Sequence, residues 1–237
     1  MKFQLNQGDR MSLWKFIMRS RLGPLVLPPE GMIRPIQGLR LSAISYLLGS
    51  DSLEIGSWVG RSTSYIAAGL RIAGSSAKLY SVDKHFSSQI EYEKFFKEDL
   101  NKSCERGRRY LRHLERDEGT LTSLRENLDE RCLRSWVNII SGDILELNFD
   151  KKFKFVFADV VHDKSELERN LEKILSLLDN DSVLVCDDFR HPDMFPYLKK
   201  NLDYNSLYLD KYMAFISTGS FSCSVLRKVC FGCNKLT

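Results

Sequence analysis

Five short apolar segments, separated by stretches with helical character, restrict the fold of this sequence more than any other feature. They lie at residues 52–55, 79–82, 137–140, 153–158 and 182–186. Their apolar side chains run almost continuously instead of alternating, which is typical of strands buried on both faces of a parallel sheet. The residues between them, 62–73 and 165–178 in particular, have helical patterns. Strands that alternate with helices predict a doubly wound α/β sheet.

Two regions depart from the simple alternation. Residues 84–136 are longer than one crossover requires, and the charged amphipathic segments 90–100 and 106–116 predict a helical insert after the second strand. Either this insert is a solvated elaboration or it covers a substrate. Near the carboxyl terminus a helix is expected over 192–202. Strands at 212–216 and 222–229, joined by a Gly/Ser turn at 217–221, predict an antiparallel hairpin that completes seven strands.

Length and composition favour one globular domain over residues 1–237, with a helical N-terminal arm over 1–50. The chain has 237 residues, of which 43% are hydrophobic and 28% charged. The longest stretch without Asp, Glu, Lys or Arg has 14 residues, whereas a membrane-spanning helix needs roughly 20, so no membrane span is expected. Six scattered cysteines favour a reducing, cytoplasmic setting.

The charge distribution gives little support for a nucleic-acid partner. Residues 1–50 carry seven Lys/Arg against two Asp/Glu, and the pI is near 8.7. A nucleic-acid-binding protein usually has a denser basic stripe with aromatic stacking partners. The arm is expected to cover the sheet or to build a homo-oligomer.

The loop after the first apolar segment has features of a ligand-binding turn. Gly56 and Gly60 flank it, and the next helix begins close by, so that free backbone N–H groups can face a ligand. The spacing matches neither a dinucleotide-binding loop nor a phosphate loop. Glu54 would repel a phosphate and attract a cation such as an ammonium or sulfonium group. The alternative is an ordinary tight turn between a strand and a helix.

Acidic residues follow the next two strands as well. Asp83 ends the second strand, where a carboxylate commonly accepts both hydroxyls of a ribose. Gly142, Asp143 and Ile144 close the third strand, where a polar group can meet a base edge. Each acid alone could simply cap the next helix, but three acids after three successive strands form a more specific constellation.

The fourth and fifth strands end in further carboxylates, namely Asp159 and the pair Asp187 and Asp188. Because neighbouring parallel strands end at the same edge, these three side chains can converge. Clustered carboxylates repel one another unless a cation lies among them, and a hard divalent ion such as Mg²⁺ or Ca²⁺ suits oxygen ligands. The alternative is that one acid caps a helix and another faces solvent.

The string Glu-Ile-Gly-Ser-Trp-x-Gly-Arg-Ser-Thr, the later Val-Asp and the Gly-Asp resemble class I S-adenosylmethionine-dependent methyltransferases over roughly residues 30–230. Within that class the sequence is most similar to the cephalosporin-hydroxylase-like and macrolide-sugar O-methyltransferases. The resemblance implies a Rossmann-like sheet and S-adenosylmethionine as cofactor. It implies that the ribose would be held by Asp83 and the adenine by Gly142, Asp143 and Ile144. The methionine end would be held by the first loop and its surroundings, namely Glu54, Gly56, Ser57, Gly60 and Ser62.

The resemblance also implies a metal-assisted mechanism. Asp159, Asp187 and Asp188 would hold Mg²⁺, which binds two adjacent substrate oxygens, and His162 would be the general base beside Asp159. The relatives often read Asp-Gly-Asp-His here, and residues 160 and 161 depart from that pattern because both are valine.

We therefore expect a metal-assisted O-methyltransferase that acts on a small hydroxylated molecule, such as a sugar or a vicinal diol. Two alternatives remain: a methyltransferase that acts on nucleic acid or protein, and a non-catalytic cofactor-binding scaffold. The Asn/Asp-Pro-Pro-Tyr/Phe signature of amino-group methylation is absent from the sequence. No function is predicted for the Cys-x-x-Cys pair Cys230 and Cys233.

Overall fold

The computed structural model of the protein describes residues 29–96, 100, 104–161, 163–189, 194–230 and 232–236. Most of the N-terminal arm, residues 1–28, lies outside the described residues, as do His162 and His191. The expected contact between copies through the arm therefore stays a prediction.

Helices and strands alternate along most of the described chain. The helices are α1 (Pro35–Leu48), α2 (Arg61–Ala73), α3 (Gln89–Phe96), α4 (Glu105–Leu114), α5 (Thr120–Glu130), α6 (Lys164–Leu177), α7 (Met194–Asn201) and α8 (Ser220–Val229). The strands are β1 (Ser52–Ile55), β2 (Leu79–Asp83), β3 (Val137–Ser141), β4 (Phe153–Ala158), β5 (Leu178–Cys186), β6 (Ser206–Asp210), β7 (Met213–Ser217) and β8 (Asn234–Leu236).

All eight strands of the described chain form one sheet with the order β3-β2-β1-β4-β5-β7-β6-β8. Strands β1 to β5 are parallel, whereas β7 runs antiparallel to β5 and to β6. The strand order reverses between β1 and β4, and in open α/β sheets ligands bind beyond the carboxyl ends of the strands at such a point. The topology thus confirms the doubly wound α/β sheet and directs attention to this edge.

Helices cover both faces of the sheet, which explains why most residues of its central strands are apolar. In β4, Phe155 and Phe157 belong to the hydrophobic cluster beneath α1, α2 and α8, whereas Val156 packs in the cluster beneath α6 and α7. All three side chains are completely buried. A strand with water on neither side favours apolar residues, and a polar residue there, such as Glu54 in β1, needs hydrogen-bond partners within the protein.

The antiparallel hairpin is confirmed, but the expected position of its strands is partly wrong. It consists of β6 and β7, joined at Lys211 and Tyr212, and residues 222–229 belong to helix α8 instead of a strand. The Asp181 carboxylate accepts the N–H groups of Phe221 and Ser222 at 3.0 and 2.8 Å, which satisfies the start of that helix. The three-residue strand β8 adds to the expected seven at the edge beside β6.

The insert after β2 contains α3, α4 and α5, in agreement with its predicted helical character. Its residues build a small separate cluster that includes Phe86, Tyr92, Tyr110 and Leu114, with Trp58 packed against it. The insert therefore stands over the carboxyl ends of β1 and β2. None of the helices in the described part of the chain combines the length and apolar character needed to cross a membrane.

Candidate functional site

Hydrogen bonds that continue past the strand ends bring the loops of the site together. The Gly142 N–H donates to the Asp83 carbonyl oxygen at 2.9 Å, and the Asp159 N–H donates to the Ile55 carbonyl oxygen at 2.8 Å. Each loop therefore begins at a fixed distance from its neighbour. These backbone hydrogen bonds explain why residues that are far apart in the sequence lie together at one edge of the sheet.

A cavity of about 340 Å³ lies at this edge of the sheet. Strands β1 to β5 all contribute to its wall through the residues that end or follow them. Of the residues singled out in the sequence, it is lined by Gly56, Asp83, Gly142, Asp143, Ile144, Asp159 and Asp188. The cavity is thus a cleft with carboxylates at several points and apolar side chains between them.

Asp83 connects the end of β2 to the loop after β1. Its Oδ2 accepts the N–H groups of Ser57 and Trp58 at 2.7 and 2.8 Å, and its Oδ1 accepts the N–H of His85 at 2.8 Å. Each carboxylate oxygen has two lone pairs, so both lone pairs of Oδ2 are used and Oδ1 can accept one further donor from the cleft. Asp83 can therefore hold the loop and accept one hydroxyl group of a ligand at the same time.

Gly56 has a conformation and an environment that require glycine. Its φ is +88°, and a Cβ atom there would lie 2.6 Å from the carbonyl oxygen of Asp159. The first loop can approach the end of β4 this closely only without a side chain. Gly56 thereby allows the loop after β1 to approach Asp159 closely.

Ser57, Gly60 and Ser62 lie behind the cleft instead of lining it. Gly60 has a φ of +93°, and a Cβ atom there would meet Leu124 of α5 at 2.5 Å. Ser57 and Ser62 are 2% and 5% exposed. Ser57 contributes its backbone N–H to Asp83, while its hydroxyl has no hydrogen-bond partner within the described residues.

Glu54 is completely buried within β1 and does not line the cleft. Its Oε2 accepts the hydroxyl groups of Thr63 and Ser81 at 2.6 and 2.9 Å, while Oε1 has no partner in the described chain. Burial raises the pKa of this carboxyl to about 7, although nearby hydroxyl groups favour the charged form. The structure thus gives Glu54 a position beneath the loop, where it connects β1 to α2 and β2.

The third acid lies in a cationic environment. The Lys84 Nζ is 3.0 Å from Asp143 Oδ2, and the Leu145 N–H donates to Asp143 Oδ1 at 3.0 Å. Partial burial raises the pKa of Asp143, but these two contacts and the charge of Arg169 outweigh it and hold the pKa below its usual value. Asp143 is therefore a charged acceptor at the wall of the cleft, next to the apolar side chain of Ile144.

Asp159 and Asp188 line the same cleft from β4 and β5, whereas Asp187 does not. Within the described residues, no three His, Cys, Asp or Glu side chains are grouped closely enough to hold a metal ion. The three carboxylates therefore do not fit a Mg²⁺ ion as they are arranged. The expected base His162 lies outside the described part of the chain, so its role stays a prediction.

Three of the six non-glycine residues with a positive φ in the described chain lie at the strand ends that form the cleft. Trp58, His85 and Asp188 follow β1, β2 and β5, and their φ angles are +49°, +55° and +53°. Residues with side chains rarely adopt this left-handed conformation, and such strain is commonly found at functional sites. Its position supports the assignment of this edge as the site.

Sequence reasoning missed the aromatic wall of the cleft and the residue that positions its floor. The wall is formed by Trp58, Phe86, Tyr92, Phe95, Phe96 and Tyr110. Asn170 of α6 donates from Nδ2 to the Val160 carbonyl oxygen at 3.0 Å and so fixes the loop after β4. The high aromatic content of residues 84–110 was the available signal for the wall, whereas Asn170 gave none.

A second cavity, of about 370 Å³, adjoins the cleft. Met32, Trp58, Arg106 and Tyr110 line both. The other walls of the second cavity are polar and belong to the start of the described chain and to α4. Glu30 meets Arg109 of α4 there at 2.8 Å. A ligand that extends from the cleft would enter this space past Trp58.

Comparison with known proteins agrees with the site's position in the fold. The family model described as "Methyltransferase domain" matches residues 53–189. An O-methyltransferase from Bacillus cereus in complex with SAH is 18% identical, with a TM-score of 0.53 over 87% of this chain and 89% of that chain. The O-methyltransferase TomG from Streptomyces achromogenes in complex with SAM is 17% identical, with a TM-score of 0.51 over 91% and 92%.

A third similar structure is the cofactor-bound protein Rv0187 from MTB, which is 16% identical, with a TM-score of 0.56 over 90% of this chain and 92% of that chain. No curated protein matches the sequence. At these identities the solved structures show a shared fold, and the family match covers more than half of the chain, including β1 to β5.

Proposed function

The chain belongs to the family of methyltransferase domains, and from that premise we propose that it is an S-adenosylmethionine-dependent O-methyltransferase acting on a small hydroxylated molecule. The observation that carries this proposal is the cleft at the carboxyl ends of β1 to β5, with one carboxylate after each of β2, β3 and β4. Structures of similar fold that are described as O-methyltransferases in complex with SAH or SAM support it.

The walls of the cleft suit the three parts of such a cofactor. Asp83 would accept a ribose hydroxyl from the end of β2, and Asp143 with Ile144 would hold the adenine beside β3. The loop of Gly56 and its neighbours Ser57, Gly60 and Ser62 would carry the methionine end. Because Glu54 is buried beneath this loop, we propose that it supports the loop without touching the ligand.

When bound, S-adenosylmethionine supplies a methyl group on a positively charged sulfur. The chain must then hold the hydroxyl oxygen of the acceptor in line with that methyl and remove its proton. Asp159 lines the cleft beside Gly56, and we assign its carboxylate to orient the acceptor hydroxyl. His162, three residues further on, remains the proposed general base.

Assistance by Mg²⁺ at Asp159, Asp187 and Asp188 is the finer part of the hypothesis. The described side chains do not form a group that could hold the ion, so no step above is assigned to a metal. Methyl transfer measured before and after treatment with EDTA separates the two mechanisms, since a loss that Mg²⁺ restores would add the metal to the site.

The acceptor class expected from the sequence is a sugar or a vicinal diol. The aromatic and polar walls next to the cleft support a small molecule with both apolar faces and hydroxyl groups, and we do not favour a nucleic acid. The cytoplasmic setting expected from the scattered cysteines also stays a prediction.

Replacement of Asp83 by alanine tests the cofactor site. We expect the affinity for S-adenosylhomocysteine, measured by calorimetry, to fall by about 1.5–3 kcal/mol, which is the usual contribution of hydrogen bonds to charged groups. Asp150→Ala, an exposed acid in the loop between β3 and β4, is the matched control. Circular dichroism shows whether the fold of each variant is intact.

Activity is then measured by transfer of a labelled methyl group to a panel of sugars and vicinal diols. Wild-type affinity in a folded Asp83→Ala variant would remove Asp83 from the cofactor site. Failure of the wild-type protein to bind S-adenosylhomocysteine would overturn the proposed function itself.

A further inference from the structure

Trp58 occupies an unusual position for a large side chain. It lies within the loop that carries the proposed cofactor site, and its φ of +49° is a conformation that favours glycine. Its N–H donates to Asp83 Oδ2 at 2.8 Å, so the carboxylate proposed to bind the ribose also fixes the backbone of Trp58. This hydrogen bond to Asp83, a residue of the proposed cofactor site, thus helps to hold Trp58 in its strained conformation.

The indole ring of Trp58 packs against the helical insert. Its centroid lies 5.7 Å from the ring of Tyr92 in α3 and 5.1 Å from the ring of Tyr110 in α4, at interplanar angles of 61° and 55°. Such tilted and edge-to-face contacts are favourable aromatic geometries. The Tyr110 hydroxyl in turn donates to the sulfur of Met32 at 2.9 Å, so the contact extends to the other wall of the second cavity.

Helices α3 and α4 have few apolar contacts with the body of the protein. Glu30 forms ion pairs with Arg109 and Arg112 of α4, whereas helix α5 packs in the main interior. The buried side chains of α3 and α4 belong to their own small cluster, separate from the two clusters on the faces of the sheet, and Trp58 is the partly buried hydrophobic residue packed against it from outside the insert. One residue therefore joins the loop of the cofactor site to the helices that border the second cavity.

We propose that Trp58 is a positioning residue that transmits occupation of the cofactor cleft to helices α3 and α4, so that the acceptor side of the site is ordered when the cofactor binds. This proposal rests on the proposed function, because it takes S-adenosylmethionine or its product as the ligand of the cleft. A ligand on Asp83 holds the loop that carries Trp58, and the indole then holds Tyr92 and Tyr110. Coupling between two sites is reciprocal, so an ordered insert also favours the ligand-bound loop.

Hydrogen exchange with and without S-adenosylhomocysteine tests the proposal. In the wild-type protein we expect the ligand to slow exchange of the backbone amides in α3 and α4 by about 5- to 150-fold, the usual range of coupling between sites. In Trp58→Gly the positive φ is retained without strain. The ligand should bind more weakly by about the same factor, as measured by calorimetry, because the coupling is reciprocal, and its effect on α3 and α4 should be lost. Trp58→Phe keeps a ring against the two tyrosines and should restore the effect.

Equal slowing of α3 and α4 in the wild-type protein and in Trp58→Gly would overturn the proposal, because the ligand would then act on the insert directly. Binding of the ligand to the wild-type protein without any slowing would overturn it as well. Absence of binding to the wild-type protein would instead contradict the proposed function, so the two failures are distinguishable.

A second measurement applies if Trp58→Gly unfolds the insert even without ligand. The chain has three tryptophans, so the difference between the fluorescence of the wild-type protein and that of Trp58→Phe isolates Trp58. We expect this difference to change on addition of S-adenosylhomocysteine, since the environment of the indole becomes fixed. A difference spectrum that the ligand leaves unaltered would overturn the proposal.

Discussion

A carboxyl group that is completely buried in a central strand has a strong effect on how stability depends on pH. Glu54 has this position, and burial raises its pKa to about 7 from a usual value of 4.5. The protonated, uncharged form is therefore favoured in the folded protein relative to the unfolded chain. The hydroxyl groups of Thr63 and Ser81 reduce the cost of ionisation without removing it.

The free energy of unfolding should consequently fall as the pH rises from about 4.5 to about 7, because the unfolded chain releases the Glu54 proton over this range while the folded protein retains it. The difference of about two and a half pKa units between the folded and unfolded states corresponds to a decrease of the order of 3 kcal/mol in the free energy of unfolding. Glu54→Gln replaces the carboxyl group with an uncharged amide of the same shape, so the decrease in stability between pH 4.5 and pH 7 should disappear in this variant. Urea denaturation of both proteins between pH 4 and pH 8 measures the difference. Parallel curves for the two proteins would show that Glu54 is ionised on both sides of the transition.

Single residues also show what can be predicted from sequence at this scale. Asp83, Asp143 and Asp159 were expected to share one edge, and they line one cleft, because the carboxyl ends of parallel strands necessarily lie together. The environment of Glu54 could not be predicted in the same way. Whether a side chain in a four-residue strand faces a ligand or a buried hydroxyl depends on the elements packed above it, and those come from distant parts of the chain.

At the scale of elements, the start of helix α8 depends on a residue from another element. Asp181 lies in β5 and accepts the N–H groups of Phe221 and Ser222 through its two carboxylate oxygens. The first N–H groups of a helix have no partner within the helix itself. Partial burial raises the pKa of Asp181, but these contacts outweigh it and lower the pKa below its usual value.

Asp181→Ala should therefore destabilise the protein by about 1–2 kcal/mol, the usual cost of losing a helix cap. The contribution of Asp181 should be present above the pKa of the unfolded chain and lost as the pH falls through the lower pKa of the folded protein. Asp179→Ala is the matched control, because Asp179 lies in the same strand and its carboxylate accepts only the neighbouring Asn180 N–H among the bonds described. Chemical denaturation at pH 7 and pH 3 compares the variants, and equal losses for both would contradict a capping role.

The same helix shows why the carboxyl-terminal elements were predicted incorrectly. Residues 222–229 mix apolar and polar side chains over a length typical of a strand. Val229 nevertheless follows Leu226 by three positions and Val225 by four, which is helical spacing. Strand β6, with its own apolar run at 207–209, was not predicted at all. Over five to eight residues, the helical period of 3.6 is hard to distinguish from the strand period of 2. Asp181, which caps the helix, lies about 40 residues away in the sequence.

At the scale of the whole molecule, the hydrophobic interior consists of two clusters joined through the sheet and a third that stands apart. The strands contribute side chains alternately to the first two clusters, so that neither can open without disturbing the sheet. The third cluster contains Tyr92, Tyr110 and Leu114 and holds only α3 and α4 with the segment before them. Elements with few contacts to the main interior can open without global unfolding.

Native-state hydrogen exchange in low concentrations of denaturant should therefore divide the protein into two cooperative units. The amides of α3 and α4 should exchange through a partial opening of lower free energy than the amides of β4 and β5.

Two matched substitutions test this division. Leu184 is a completely buried leucine in β5, and Leu184→Ala should lower the opening free energy of the sheet by about 2–5 kcal/mol. It should leave the opening free energy of α3 and α4 unchanged, because the sheet remains folded in the partial opening. Leu114→Ala, the matched change in the third cluster, should lower the opening free energy of the insert. If Leu184→Ala lowered both values equally, the molecule would unfold as one unit, and the insert would have no independent transition for the cofactor loop to control.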